Sequence, residues 1–183
     1  IHYSSESPRA CRSPRSEPAP SDVLPYAELH CATNFSFLRG ASHPEELVAR
    51  AHEQGYAALA ITDECSLAGV VRALLQARDL KLPLIVGAEF SLQALVGDAT
   101  RLVLLAQTRN GYGNLSELIS RARMRADKGR YQLAPEDLAA GIAECVALLV
   151  PDPHASTEAV TAHSRFLRER FEQRCWLAVE LLM

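Results

Sequence analysis

Between Tyr26 and Leu182, short apolar runs alternate with longer stretches whose apolar residues fall three and four apart. These are the two periods that separate buried strands from amphipathic helices. Strands are expected at residues 26–31, 57–62, 84–90, 101–106, 145–150 and 176–182, each rich in Val, Ile, Leu or Ala. The first helix opens at Ser42-His-Pro-Glu, read as a capping box in which Ser42 caps and Glu45 reaches back. It runs to about Gln54 with Glu46 and Arg50 paired one turn apart, and Gly55 stops it. A second helix is expected over 67–80. A third, over 113–125, places Leu115, Leu118, Ile119 and Ala122 on one face. A short helix follows at Pro135, and a last one at 158–171 aligns Val160, His163, Leu167 and Phe171. Gly97-Asp98 marks a turn, and Gly111-Tyr112-Gly113, at the start of the third helix, is too short for a phosphate loop.

The order β-α-β-α-β-β-α-α-β-α-β, without internal repeat, describes part of a β/α barrel. Residues 1–24 stand apart: Ser, Pro, Arg and Glu dominate, and almost nothing there can be buried. Such a segment cannot offset its ordering entropy and is expected to be disordered. Residues 25–183 then form one partial domain. The first residue is Ile, and the last expected strand stops at Met183 without cap or polar tail, so the chain reads as a fragment.

Composition changes this picture little. Of the 183 residues 48% are hydrophobic and 22% charged, and the net charge of −3 leaves no global basic footprint for nucleic acid. The five cysteines are scattered without a Cys-x-x-Cys pair, which favours buried thiols over a zinc knuckle. No apolar run is long enough for a membrane span, and residues 1–20 lack the apolar middle of a secretory signal peptide. A soluble cytoplasmic protein is expected.

Chemistry is suggested where two apolar runs stop on acids, Asp63-Glu64 after the second strand and Glu89 within the third. In βαβ folds the carboxyl ends of the strands line the functional crevice. His30, at the end of the first strand, joins them; it is either a satisfied core histidine or a metal ligand. Asp63 has an alternative role as a cap of the next helix near Ser66. Glu89 is harder to dismiss, because an acid there does nothing for a buried strand. Cys31 and Cys65 flank the group, but their spacing matches no standard metal set. The basic run Arg121, Arg123, Arg125, Lys128 and Arg130 offers contacts to a DNA backbone, or is a solvated helix end.

These residues carry a resemblance. Residues 29–42, 60–71, 84–89 and 102–116, with the closing Trp176-Leu-Ala-Val-Glu-Leu, resemble the polymerase-and-histidinol-phosphatase (PHP) domain that opens bacterial C-family DNA polymerases. The wording Asn34-Phe-Ser-Phe-Leu-Arg-Gly-Ala-Ser-His-Pro-Glu and Ile61-Thr-Asp-Glu-Cys-Ser is most similar to the error-prone, damage-inducible branch. The resemblance implies an α/β fold, a PHP-type distorted β/α barrel left incomplete at the C-terminus. It implies a full-length DNA-directed polymerase active in translesion synthesis, with Mg2+ held by aspartates downstream of this chain. The implied partners are the rest of the polymerase chain, primer-template DNA, accessory mutagenesis factors and a sliding clamp.

The family's metal pattern carries over only in part. His-x-His is here His30-Cys31-Ala32, Asp-His is Asp63-Glu64, the third-motif acid is Glu89, and a further histidine corresponds to Arg101. His30, Asp63, Glu64 and Glu89 could still hold one Zn- or Mn-type ion, but a full cluster is not expected, and the domain reads as structural. The alternative is a stand-alone metal-dependent phosphoesterase of histidinol-phosphatase type.

Overall fold

The computed structural model describes residues 24–92 and 100–179. The strands are β1 (Ala27–Glu28), β2 (Ala58–Ile61), β3 (Leu84–Leu92), β4 (Thr100–Ala106), β5 (Cys145–Val150) and β6 (Cys175–Leu177). The helices are α1 (Pro44–Glu53), α2 (Val70–Leu80), α3 (Arg109–Met124) and α4 (Thr157–Phe171), with a 3-10 turn at Pro135–Leu138. The strands form one curled sheet in sequence order, β1-β2-β3-β4-β5-β6. Only β4 runs against the others: β1, β2 and β3 pair in parallel, β4 is antiparallel to β3 and β5, and β5 is parallel to β6. The expected element order and the incomplete barrel are both present.

Two-residue alternation along the strands sorts the core into layers. Leu59 and Ile61 face α1 and α2, where Val48, Ala51, Val70, Ala73 and Ala77 close over them. Phe90, Leu92, Leu102, Leu104, Ala147 and Leu149 face α3 and α4, meeting Leu115, Leu118, Leu167 and Phe171. The intervening residues Ala60, Val103, Leu105, Leu148 and Val150 form a smaller cluster on the opposite, concave face. That face opens into a cleft between the sheet's outer edges, lined by Tyr26, Leu29, Ile85, Leu148 and Trp176.

Several boundaries differ from the sequence reading. The first strand shrinks from 26–31 to Ala27–Glu28, because the following backbone turns early to pair with side chains: His30 N–H bonds Glu28 and Cys31 N–H bonds Thr62. The cap of α1 is His43, with Pro44 at the first helical position. Glu46, not Glu45, reaches back to the His43 N–H at 2.8 Å. With Glu46 so engaged, Arg50 pairs with Glu53 at 3.2 Å. The third helix starts four residues early, capped by Thr108, whose hydroxyl accepts from the Gly111 N–H. Gly111 and Gly113 therefore lie within α3, not in a turn. A Cβ at Gly111 would sit 2.1 Å from the Glu144 carbonyl oxygen, so close packing, not a turn, explains that glycine. The expected turn at Gly97-Asp98, nearly all of the expected disordered extension, and the end of the last strand beyond Val179 lie outside the described residues. Among the described residues no helix is long and apolar enough to cross a membrane.

Candidate functional site

The ends of β1, β2 and β3 bring His30, Asp63, Glu64 and Glu89 to one rim of the sheet, as expected for parallel neighbours. They do not converge on one point. Asp63 and Glu64 are adjacent on an extended segment, and their side chains part to opposite sides.

Asp63 is fully buried and turns to the loop after β1. Its Oδ1 accepts from the Thr33 N–H at 2.8 Å and the Ser36 hydroxyl at 2.7 Å, and the Thr33 hydroxyl donates to Oδ2 at 2.9 Å. Three donated bonds take most of the carboxylate's roughly four lone-pair sites and hold it toward the loop. The suggested capping role is also absent: α2 begins at Val70 behind Gly69, and Ser66 accepts from Ala68 instead. Asp63 is a buried strut for residues 33–36.

Glu64 and Glu89 turn the other way and meet a residue the sequence reading overlooked. Arg39, at the end of the same loop, spans both carboxylates. One guanidinium nitrogen donates to Glu89 Oε2 at 3.0 Å, and the other to Glu89 Oε1 and, at 3.2 Å, to Glu64 Oε2. His30 Nε2 lies 2.6 Å from Glu89 Oε2 on the remaining side. Burial alone would push the Glu89 carboxyl up, but the His30 hydrogen bond and the Arg39 bonds and charge outweigh it and hold it down at about 2. Glu64 is fixed further by the Tyr131 hydroxyl, which donates to Oε1 at 2.9 Å while accepting from the Ser91 N–H.

The group implied by the family pattern is a metal cluster, and these residues do not fit it. Among the described residues no three His, Cys, Asp or Glu side chains are arranged to hold an ion. Arg39 already supplies a positive charge to both carboxylates that would otherwise be offered to an ion. Burial pushes the flanking Cys31 and Cys65 thiols up to about 11. Arg101 lies on β4 opposite Ser91 and Val150 and lines the concave cleft together with His30.

The basic run divides. Arg123 folds inward, donating to the Cys65 and Glu64 carbonyl oxygens at 3.1 and 3.3 Å and lying over the Tyr131 ring. It is a tie between α3 and the end of β2, not a free contact for a backbone phosphate. Arg121 pairs with Glu117 at 3.4 Å and Arg125 with Asp137. Lys128 and Arg130 are exposed in the loop after α3.

Arg39 gave no local signal, as one arginine before a glycine in a loop. A charge count points only to its kind: two carboxylates converging at a strand end call for a cation, either a metal ion or a basic side chain.

The pattern that defines the PHP domain matches residues 28–179. The chain is 55% identical over 174 residues to the error-prone DNA polymerase of Bordetella parapertussis, covering 88% of this chain and 16% of that protein. It is 58% identical over 160 residues to that of Aromatoleum aromaticum (85% and 15%) and 53% over 156 residues to that of Pseudomonas aeruginosa (85% and 14%). The chain thus spans about one-sixth of the length of the curated relatives it matches. Among solved structures, a protein described as a metal-dependent phosphoesterase from Bifidobacterium adolescentis superposes with a TM-score of 0.58 at 16% identity, over 79% of this chain and 75% of its own. A likeness of that kind is one of fold alone.

Proposed function

The chain belongs to the PHP domain family, and on that premise we propose that it is the amino-terminal structural domain of an error-prone DNA polymerase whose metal pocket is filled by Arg39. The observation that carries this reading is the guanidinium bound to both oxygens of Glu89 and to Glu64. A phosphoesterase needs such carboxylates free to gather divalent ions that acidify a water and neutralise phosphate. Here a side chain of the protein pairs with both, and an ion would have to displace it from a largely buried partner. His30, Glu64 and Glu89 then serve the fold, and Asp63 holds the loop that delivers Arg39.

Template-directed synthesis belongs, on this reading, to the longer cytoplasmic polymerase, with Mg2+ on carboxylates elsewhere in its chain. Primer-template DNA, a sliding clamp and mutagenesis factors are its partners. Exposed Lys128 and Arg130, with Arg121 and Arg125 behind them in ion pairs, are the contacts proposed for a DNA backbone.

Elemental analysis of the purified protein after dialysis tests the site. Well under about one equivalent of Zn or Mn per chain is expected. A full equivalent, with phosphatase activity abolished by Glu89→Ala, would overturn the structural reading. Primer extension by the intact polymerase tests the wider one, and failure to extend would sink it.

A further inference from the structure

Helix α2 is apolar on two sides. Val70, Ala73 and Ala77 are buried against β2 and α1. A second stripe, Val71, Leu74 and Leu75, recurs at the helical spacing on the flank away from them and is 65%, 43% and 60% exposed. Exposed Arg78 continues it, three residues after Leu75 and four after Leu74. On the opposite flank Arg72 pairs with Glu45 of α1, so that side is spoken for. Among the described residues α2 packs chiefly on α1 and β3, and the stripe stays exposed. A helix apolar on both sides is normally sandwiched, while a surface helix carries polar residues outward.

We propose that this face of α2 docks an apolar helix from the remainder of the same polymerase chain, with a carboxylate set against Arg78. The proposal rests on the reading of the chain as part of a longer polymerase. Three side chains expose on the order of a few hundred Å2, well short of the roughly 800 Å2 per partner that a stable interface between separate molecules needs. A second copy or a free accessory protein therefore gains too little here. A covalently linked segment needs far less area, because the linkage supplies a high effective concentration. The chain spans only a small part of the polymerases it resembles, so abundant sequence exists to supply that segment.

The test is alkylation of Leu75→Cys in the intact polymerase, followed by mass spectrometry of the peptide 73–78, with Glu117→Cys on α3 as the exposed reference. Val71→Cys is run in parallel, so that one poorly folding variant does not decide the outcome. Both α2 cysteines are expected to react at least about ten-fold more slowly than the reference, with the difference abolished in urea. Rates equal to the reference would overturn the proposal. Protection that grows with protein concentration would also overturn it, because a second copy would then hold the face. So would protection that requires an added protein or DNA. Primer extension is scored separately: protected cysteines in a chain that does not extend primers would count against the polymerase reading and leave the docked face standing.

Discussion

Replacing Arg39 by Met removes the cation but keeps much of the side-chain volume, so the loss isolates the charge. Glu89 is nearly inaccessible, with a side chain 3% exposed, whereas Arg39 is 37% exposed. Holding Glu89 at about 2 instead of 4.5 corresponds to about 3 kcal/mol of preference for the ionised native form. Arg39 shares that preference with His30. Removing one partner of a buried pair costs about 3–5 kcal/mol, but water reaching the vacated, partly exposed arginine position screens part of it. An expected loss of about 2 kcal/mol remains at neutral pH. The sign with pH follows from the lowered carboxyl. Its contribution is fully present above the unfolded value of 4.5 and is lost as pH falls toward about 2. Urea unfolding of parent and variant, followed by circular dichroism, should thus show a gap that is full at about pH 6 and clearly smaller at about pH 3. A gap below about 0.5 kcal/mol at the higher pH, or one that does not change with pH, would refute the assignment of Arg39 as the counter-ion.

The other predictions concern single contacts. Asp63→Asn places an amide against three donors and should destabilise by about 2–3 kcal/mol in the same unfolding assay; a neutral result would remove Asp63 from its role as strut. Gly111→Ala drives a methyl into the Glu144 carbonyl and should lower stability by about 2 kcal/mol or more, although alanine is the better helix former; a gain in melting temperature would show that the approach is not tight.

The element order was legible because apolar alternation and helical spacing are local properties, and the sheet obeys them from Leu59 through Leu149. The start of α3 was not, because the Gly111–Gly113 pair has a poor intrinsic helix preference that contact with Glu144 overrides. The rim position of His30, Asp63, Glu64 and Glu89 could be read from the strand ends. Their grouping into one ligand set could not. Asp63 and Glu64 follow each other on extended backbone, and the two-residue period alone forbids a shared target. Arg39 lies 50 residues from Glu89 in sequence, and no periodicity, cap or turn records a contact at that distance. Arg123 was read with its neighbours as a DNA-backbone contact or part of a solvated helix end, yet the α3 register carries it toward the carbonyls of Glu64 and Cys65.

The loop from Thr33 to Arg39 is tied at both ends to partners far along the chain. Asp63 grips Thr33 across 30 residues and Ser36 across 27, and Glu89 grips Arg39 across 50. The Asp63 bonds need the end of β2 beside the loop, and the Glu89 bonds need β3 in place as well. Closing such spans costs entropy before any contact repays it. The loop is therefore expected to lock after the strands it bridges have met, so that damage to it speeds unfolding more than it slows folding. The corner of the domain that holds the candidate site thus depends for its shape on contacts distant in sequence, not on its own local structure.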